Sequence, residues 1–253
     1  MIKQLSVIIP VFNEAGRINQ AIQHLFELDF SEKIQIVVVD GEHSGETVQA
    51  INHAAVKKII SRKGRGIQMN QGAAVADGNI LLFLHADTVL PDRAFEQIVS
   101  TCKPHNIVGG AFDLEIQSDR PGFRVIEKVA SLRSRMTRIP YGDQAIFIKS
   151  RFFNEFGGFK EIPIMEDVEF MRRIKRAGKR ITFISDKVQT SPRRWEREGV
   201  IYCTLRNWIL IVLYLFGVSP LNLVKFYGTV TRKKCAVTPV DNPNAIREKL
   251  GSK

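Results

Sequence analysis

The chain has 253 residues, of which 44% are apolar and 25% are charged; this is the composition of a globular protein and excludes a disordered or low-complexity chain. Its formal net charge of +11 favours an anionic partner, such as a nucleic acid, an anionic membrane surface or a phosphorylated substrate. The sequence contains no zinc-finger spacing, RNA-recognition signature or helix-turn-helix, so nucleic-acid binding is not expected. The three cysteines form no CxxC pair, and this sparse, odd set predicts a reducing, cytoplasmic location.

The first ninety residues alternate short apolar runs with amphipathic segments. The runs predict strands at 5–10, 34–39, 58–61 and 80–84. Between them the pattern predicts helices from Ile18 to Phe26, at 45–56 and at 64–76. Strands that alternate with helices imply crossover connections, and therefore a mainly parallel sheet with helices on both faces.

Acidic residues follow three of these four strands. Glu14 comes shortly after the first strand, Asp40 ends the second, and Asp87 follows the fourth. Each could cap a helix, which is the common role of an acid in this place. The carboxyl ends of parallel strands meet at one sheet edge, where α/β proteins bind ligands. Three acids there also fit a nucleotide whose phosphates arrive with a divalent cation.

The strand from Ile80 to Leu84 runs directly into a polar segment. If the chain stays extended there, His85 and Asp87 point the same way and could face one ligand or one metal ion. The alternative is a polar strand end in which Asp87 or Thr88 caps a helix that starts near Pro91.

Two common nucleotide-binding motifs are excluded. The turn at 64–66 reads G-x-G, but Met69 stands where a dinucleotide fold needs its third glycine, and the turn follows the third strand rather than the first. The pattern G-x-x-x-x-G-K-[ST] does not occur. The sequence therefore predicts neither a Rossmann dehydrogenase nor a P-loop enzyme.

The second half of the chain predicts further strands on a mixed side of the sheet. Strands are expected at 107–116, 145–148 and 181–185, and helices at 123–138 and 168–177. Glu166 and Asp167 open the last of these helices, and Gly178 closes it. Acids at a helix start are favoured by the helix dipole, so capping is the alternative to a catalytic role for this pair.

The C-terminal part is helical and apolar. A helix is predicted at 199–217, and the eleven residues of Trp208–Val218 carry no charge, which is too short for a bilayer that needs about 20. This stretch either packs on the domain or lies peripherally on the inner face of a membrane, because basic residues such as Arg206 and Lys225 flank it. We divide the chain into a domain at 1–198, a helical extension at 199–237 and a polar tail at 238–253.

Several segments together resemble the family 2 glycosyltransferases, which have the GT-A fold. The resemblance covers roughly residues 5–185 and rests on SVIIPVFNE, VVVDG, GRGIQMNQGA, LHADT in the place of an Asp-x-Asp metal motif, and Glu166-Asp167 before a helix. It implies a Rossmann-like α/β fold with a mainly parallel mixed sheet flanked by helices. The segments LHADT, YGDQAIF, MEDVEF, RRWEREG and LFGVSP look like a bacterial subgroup labelled radical-SAM or selenodomain-associated transferases.

The resemblance implies a role for each matching position. Asp167 would be the general base, with Glu166 beside it on the acceptor side. The metal ion, Mg²⁺ or Mn²⁺, would be bound by Asp87 and His85. The nucleotide would be bound by Pro10, Glu14, Asp40, Arg65 and Asp87. The acceptor or a lid would involve Gly110, Asp143, Gln144, Arg194 and Trp195.

The implied function is an inverting, hexosyltransferase-like enzyme. It would move a sugar from a nucleoside diphosphate, usually UDP, to a hydroxyl acceptor, with a lipid-linked acceptor left open. Single displacement needs one carboxylate to take the hydroxyl proton and no nucleophilic carboxylate, while a cation suits the diphosphate leaving group. The alternatives are a sugar nucleotidyltransferase, which would open with a glycine-rich loop, and a non-catalytic nucleotide-sugar binding protein.

Two positions depart from the family pattern. His85 replaces the first acid of Asp-x-Asp, so metal binding would depend mainly on Asp87. Gln189 lies two residues too far from Arg194 for the Gln-x-x-Arg-Trp motif of processive synthases, which argues against a polymerising enzyme. The segment Arg193–Trp195 either closes over the diphosphate or the acceptor, or forms a basic surface loop.

Overall fold

The computed structural model describes residues 4–28 and 33–227, which form a mixed α/β fold around one eight-stranded sheet. The strands are β1 (Leu5–Val11), β2 (Ile34–Asp40), β3 (Lys57–Ile60), β4 (Ile80–Phe83), β5 (Thr88–Val89), β6 (Ile107–Ile116), β7 (Phe147–Lys149) and β8 (Arg180–Thr190). The helices are α1 (Ile18–Glu27), α2 (Glu46–Gln49), α3 (Arg65–Ala74), α4 (Ala94–Thr101), α5 (Pro121–Thr137), α6 (Ser150–Glu155), α7 (Glu166–Arg176), α8 (Arg193–Glu198), α9 (Val200–Leu215) and α10 (Pro220–Tyr227). A 3₁₀ turn spans Gly142–Gln144.

The strands lie in the order β3-β2-β1-β4-β7-β6-β8-β5. The first four are parallel, β7 is antiparallel to both β4 and β6, and β8 runs parallel to β6. The predicted mainly parallel mixed sheet is therefore confirmed. Because β1 and β4 are parallel neighbours, the segments that carry Glu14 and Asp87 leave the sheet at the same edge.

The sheet is buried on both faces, as its almost uninterrupted apolar strands require. Alternation along β1 sends Val7 and Ile9 into a core cluster with residues of α1 and α4. Ile8 points to the opposite face, where it shares a cluster with Met69 of α3 and Phe170 of α7. Helices α3 and α7 are thus held on one face of the sheet, next to the edge at which the strands end.

The prediction of a helix at 45–56 is wrong beyond the first turn, because α2 ends at Gln49. The chain after it is tied to α1 through one side chain. The Asn52 N–H donates a hydrogen bond to Asn19 Oδ1 at 3.0 Å, and Asn19 Nδ2 donates to the Ala50 carbonyl at 2.7 Å. These tertiary hydrogen bonds replace the helical ones that the apolar spacing predicts.

The polar segment after β4 turns instead of staying extended. The Thr88 N–H donates a hydrogen bond to the His85 carbonyl at 3.1 Å, and Thr88 then enters β5, which pairs with β8. Helix α4 begins only at Ala94, so neither Asp87 nor Thr88 caps it. Both conformations that we considered from the sequence are therefore replaced by a turn.

Strand β8 extends to Thr190 rather than ending at Ser185. Its second half is held by pairing with β6, up to Ile116 opposite Thr190, and by the short β5. Exposed polar residues such as Asp186 and Lys187 hide this half from a hydrophobicity pattern. The residues after this strand, which could form a basic surface loop, instead form the short helix α8.

One face of α9 and α10 packs on the domain. Leu210 and Leu223 share a buried cluster with Ile164, Met165 and Val168 at the start of α7. Within the described part of the chain, no helix is both long and apolar enough to cross a membrane. The predicted tail at 238–253 and the end of the extension lie outside the described residues, and the domain boundaries stay predictions.

Gly110 lies inside the sheet, so the prediction that it contacts the acceptor or belongs to a lid is wrong. It sits in β6 opposite Phe147 of β7 and Thr182 of β8. A Cβ atom at this position would come within 2.1 Å of the Thr182 carbonyl oxygen. Packing of the backbone accounts for the glycine.

We expect Gly110→Ala to lower the free energy of unfolding by about 1–3 kcal/mol, because the backbone of two strands must move to admit the methyl group. Gly122→Ala is the matched control, since no atom lies within 4 Å of its Cβ position, and a gain of up to about 1 kcal/mol is expected there. Urea unfolding monitored by circular dichroism measures both variants. Equal stability of the two variants would contradict the packing explanation.

Candidate active site

A cavity of about 270 Å³ lies beyond the carboxyl ends of the parallel strands, bounded by the start of α7, by α8 and by the C-terminal helices. Seven of the thirteen predicted site residues line it: Arg65, His85, Asp87, Asp143, Asp167, Arg194 and Trp195. The other six do not: Pro10, Glu14, Asp40, Gly110, Gln144 and Glu166. The structure therefore brings together most of the polar residues that the sequence analysis selected.

Asp167 lies in the first turn of α7, with its carboxylate at the cavity wall. Its Oδ2 accepts a hydrogen bond from the Gly142 N–H at 2.6 Å, and its Oδ1 accepts one from the Val168 N–H at 2.7 Å. These two amides fix the orientation of the carboxylate. Each oxygen keeps a further lone pair with which it can bind a ligand hydroxyl.

Glu166 is behind this wall and pairs with Arg65. Arg65 Nε lies 2.7 Å from Glu166 Oε1, and the Glu166 side chain is only 2% exposed. Burial raises the pKa of Glu166, although the Arg65 charge opposes that rise. In return, Glu166 raises the pKa of the Arg65 guanidinium above its ordinary value. Glu166 thus holds a permanently charged arginine at the cavity, rather than meeting a ligand itself.

His85 is a neutral imidazole at physiological pH. Burial, followed by the charge of Arg65, lowers its pKa to about 4, against a smaller opposite effect of Asp167. Its Nε2 lies 3.3 Å from the position that a Cβ of Gly142 would take, as does Asp167 Oδ2. The ring is therefore next to the Asp167 carboxylate across a glycine.

Asp87 faces a different set of groups. Arg193 Nη2 lies 2.9 Å from Asp87 Oδ2 and 3.6 Å from Glu14 Oε1, so one nitrogen contacts carboxylates from the ends of β4 and β1. Burial and the neighbouring Glu14 charge both raise the pKa of Asp87. Burial also raises the pKa of Glu14, with Arg17 opposing it.

The side chains that the structure describes do not by themselves provide enough ligands for a divalent cation at this site. Among the described residues, no group of three or more His, Cys, Asp or Glu side chains is placed to hold a metal ion. Asp87 nevertheless offers a carboxylate at the cavity, and Mg²⁺ commonly binds through one or two carboxylates plus substrate phosphates and water. The donor set therefore fits a cation that arrives with a diphosphate.

Asp143 follows the glycine that donates to Asp167. Burial raises its pKa to about 6; Arg133 opposes the rise and Asp167 adds to it. Next to it, Arg133 Cζ stacks 3.2 Å from the ring centroid of Tyr141, whose pKa burial raises to about 12. The acceptor or lid prediction for Asp143 is compatible with this place at the cavity.

Asp40 does not reach the cavity, and its capping alternative accounts for it. The side chain is fully buried, and it accepts hydrogen bonds from the backbone N–H groups of Glu42, Thr47 and Val48 at 2.9–3.3 Å. Because Oδ1 binds the loop at Glu42 and Oδ2 binds the first turn of α2, the carboxylate shapes the loop beyond β2. The predicted direct contact with the nucleotide is not available in this structure.

Two further predicted contacts are replaced by structural roles. Gln144 is fully buried; its Oε1 accepts from Ser134 Oγ at 2.6 Å and its Nε2 donates to the Phe112 carbonyl at 3.0 Å. The prediction that Gln144 contacts the acceptor or forms a lid is therefore wrong, because its side chain is fully buried and its oxygen and nitrogen both hydrogen-bond inside the fold. Pro10 lies within β1, paired with Val39 of β2.

Helix α8 connects the strand ends with the C-terminal helices. Arg194 hydrogen-bonds the Tyr227 hydroxyl and stacks on its ring, with Cζ 3.9 Å from the centroid. Trp195 Nε1 donates to Thr204 Oγ1 at 3.3 Å. Tyr227 and Tyr141, which also line the cavity, were not predicted. Tyr141 precedes a polar segment and could have been found there, whereas nothing near Tyr227 in sequence marks it.

The profile of glycosyl transferase family 2 matches residues 6–163. An uncharacterized glycosyltransferase of Nostoc sp. is 28% identical over 145 residues, which are 51% of this chain and 45% of the relative. The probable glycosyltransferase YdaM of Bacillus subtilis is 22% identical over 228 residues, which are 77% of this chain and 51% of YdaM. The chain thus spans about half the length of these relatives, and the bacterial subgroup stays a prediction.

Solved structures show the same fold at low sequence identity. The mannosyltransferase PcManGT of Pyrobaculum calidifontis, in complex with GDP-Man and Mn²⁺, aligns with a TM-score of 0.60 at 22% identity, over 75% of this chain and 57% of that one. Residues 1–349 of S. aureus TarS, in complex with UDP, align with a TM-score of 0.58 at 17% identity, over 74% and 60% of the two chains. The GT-A fold is therefore shown, and the chain belongs to glycosyl transferase family 2.

Proposed function

We propose that the protein transfers a sugar from a nucleoside diphosphate, UDP in the first instance, to a hydroxyl group of an acceptor with inversion. The observation that carries this proposal is the Asp167 carboxylate, which two backbone amides orient at the wall of the cavity. An inverting transferase needs one such carboxylate, positioned to take the proton of the attacking hydroxyl.

Asp167 acts as the general base. Its oxygens are held by the N–H groups of Gly142 and Val168, so the remaining lone pairs keep a constant direction. As the acceptor oxygen forms its bond to the anomeric carbon, its proton passes to Asp167 and the bond to the diphosphate breaks. No covalent sugar–enzyme intermediate is involved, so a second nucleophilic carboxylate is not needed.

Two arginines at the cavity support the proposal that a nucleoside-diphosphate donor binds there. Arg65 is held by Glu166, and Arg194 by Tyr227, so both guanidinium groups are pre-positioned for an anionic diphosphate. The related structures bind GDP-Man, UDP and UDP-GlcNAc, and the choice of uridine here follows from the family resemblance.

Asp87 would hold the divalent cation, Mg²⁺ or Mn²⁺, together with oxygens of the donor. When bound, the cation supplies positive charge that stabilises the diphosphate leaving group. His85 is adjacent in sequence, but its ring has Asp167 and Arg65 as charged neighbours, so we assign it to the lining of the reaction site. Two observations favour this function over a non-catalytic binding protein: the family membership and the oriented Asp167.

The acceptor side of the cavity is apolar, and this supports a lipid-linked acceptor. Ile164, Val168, Leu210 and Ile211 line it, and the last two belong to α9. On its opposite face α9 exposes large apolar side chains, among them Ile201, Trp208, Ile209 and Val212, and Phe216 directly after the helix is exposed as well. One helix therefore joins the cavity to an exposed apolar surface.

We assign this surface to peripheral contact with an anionic membrane. The chain carries a net charge of +11, and Arg172 stacks near Tyr214 at the margin of the surface, with Cζ 5.6 Å from the ring centroid. Exposed aromatic and aliphatic side chains beside basic groups are typical of helices that lie in a membrane interface. A lipid-linked acceptor would then enter the cavity from the side of α9.

For the donor site, we expect Mn²⁺ with UDP or GDP to raise the melting temperature. Ligand at 100 times its dissociation constant stabilises by about 2.7 kcal/mol. Asp87→Ala should lose the metal-dependent part of this shift and His85→Ala should keep most of it, because a carboxylate oxygen is the ligand that Mg²⁺ and Mn²⁺ prefer. Wild-type protein that responds to no uridine, guanosine or thymidine diphosphate would contradict the proposed donor.

For the base, we expect Asp167→Asn to lower the transfer rate by about 10²–10⁴-fold at unchanged donor affinity, since an amide cannot take the proton. Asn keeps the size of the side chain and can accept one of the two backbone hydrogen bonds, so the fold should be kept. Asp92→Asn, at an exposed position, is the matched control and should behave as wild type. Retained transfer in Asp167→Asn would remove Asp167 from the mechanism.

For the membrane surface, we expect the protein to co-sediment with vesicles of phosphatidylserine and phosphatidylcholine at low salt. Phe216→Glu should weaken binding at least tenfold, because transfer of a phenylalanine side chain from water to an apolar environment is worth about 1.5–3 kcal/mol. Val125→Glu, which replaces an exposed apolar residue on α5, is the control. A failure to sediment would contradict membrane contact, and self-association measured by light scattering would assign the surface to a second copy.

A further inference from the structure

A guanidinium group lies between the two carboxylates at the ends of β1 and β4. Arg193 Nη2 is 2.9 Å from Asp87 Oδ2 and 3.6 Å from Glu14 Oε1. None of the three side chains is fully exposed; the exposed fractions are 38% for Arg193, 30% for Asp87 and 25% for Glu14. The contact therefore lies beside the cavity, which Asp87 lines, and is only partly screened by water.

This arrangement solves an electrostatic problem. Two carboxylates at neighbouring strand ends repel each other, and each raises the cost of ionising the other. The Arg193 charge compensates both, which is the role that a divalent cation would have at the same carboxylates. Since a cation and a guanidinium on the same Asp87 oxygen repel each other, their binding is mutually exclusive or at least strongly antagonistic.

We propose that Arg193 is a positioning residue that occupies the cation site of the empty enzyme, leaves Asp87 when the divalent cation binds, and then binds the donor diphosphate. The proposal rests on the proposed function, and it adds a coupling between cation and nucleotide. The cation alone must compete with Arg193, whereas the cation and diphosphate together give Arg193 a new anionic partner. Binding of the two is therefore cooperative.

The position of Arg193 in the fold suits this exchange. It is the first residue of α8, which follows β8 directly, and the next two residues, Arg194 and Trp195, line the cavity. The same two residues tie this short helix to the C-terminal helices through Tyr227 and Thr204, and Glu198 at its far end pairs with Arg206 of α9. The Arg193 side chain can therefore turn from the strand ends to a ligand while α8 stays attached.

The test compares Arg193→Gln with wild type by titration of Mn²⁺ alone, with free Mn²⁺ measured by electron paramagnetic resonance. Removal of the competing charge should tighten Mn²⁺ binding about three- to fivefold, the range expected for a partly exposed ion pair. Arg197→Gln is the matched control, because Arg197 is on the same helix and pairs with Glu198 at 3.5 Å. It should leave Mn²⁺ affinity unchanged.

The second measurement is calorimetric titration of UDP and of GDP at saturating Mn²⁺. Here Arg193→Gln should bind the diphosphate about tenfold more weakly, because a charge-assisted hydrogen bond to a phosphate oxygen is lost. The two effects have opposite signs, and a variant that was merely misfolded would weaken both. Addition of Asp87→Asn to Arg193→Gln should abolish the gain in Mn²⁺ affinity.

Several results would overturn the proposal. Unchanged or weaker Mn²⁺ binding in Arg193→Gln, or no measurable Mn²⁺ binding in either protein, would show that Arg193 does not compete for the cation. Unchanged diphosphate affinity would show that it does not move to the donor. Failure of the wild type to bind any nucleoside diphosphate would instead refute the proposed donor, and the Mn²⁺ titration would still decide whether Arg193 occupies the cation site.

Discussion

The buried ion pair between Arg65 and Glu166 joins the starts of two helices that build the cavity. Arg65 opens α3 and Glu166 opens α7, and their side chains meet at 2.7 Å with the carboxylate almost fully shielded from water. Loss of Arg65 would leave the buried Glu166 carboxylate without compensation, which is costly. Because Asp167 follows Glu166 directly, the position of the proposed base depends on the same contact.

The pair also explains the electrostatics of the cavity. Arg65 lowers the pKa of His85 and opposes the burial that raises the pKa of Asp143. Burial is the larger effect on both groups, because it disfavours their charged forms. In such surroundings fixed charges act more strongly on a ligand than they would in water, and a diphosphate that loses its sugar is stabilised mainly by such charges.

Helix α9 has apolar side chains on a buried face and on an exposed face. Leu210 of α9 is buried against Met165 and Val168 at the start of α7, while Ile209 and Val212 on the other side of the helix are exposed. A helix with apolar residues on both faces gains packing energy from one face only, and the other face remains available to a second apolar phase. This is the physical basis for the proposed membrane contact of α9 and for the proposed acceptor side of the cavity.

The fold and part of the site follow from local patterns, and the rest from contacts between distant segments. The apolar runs at β1, β2 and β4 set the parallel half of the sheet, and the acids after them lie at its edge as expected. The sequence position of a carboxylate does not reveal its partners, however. Asp40 accepts hydrogen bonds from three backbone amides, whereas Asp87 is paired with an arginine 106 residues away.

By itself, the sequence determined the α/β class, the family resemblance and the choice of Asp167 and Asp87, because these depend on residue type and on short spacings. Only the tertiary structure decided which polar side chains share the cavity. The turn after β4 separates the surroundings of His85 from those of Asp87, sheet packing accounts for Gly110, and buried hydrogen bonds hold Gln144 inside the fold. Each of these outcomes depends on atoms that are close in space and far apart along the chain.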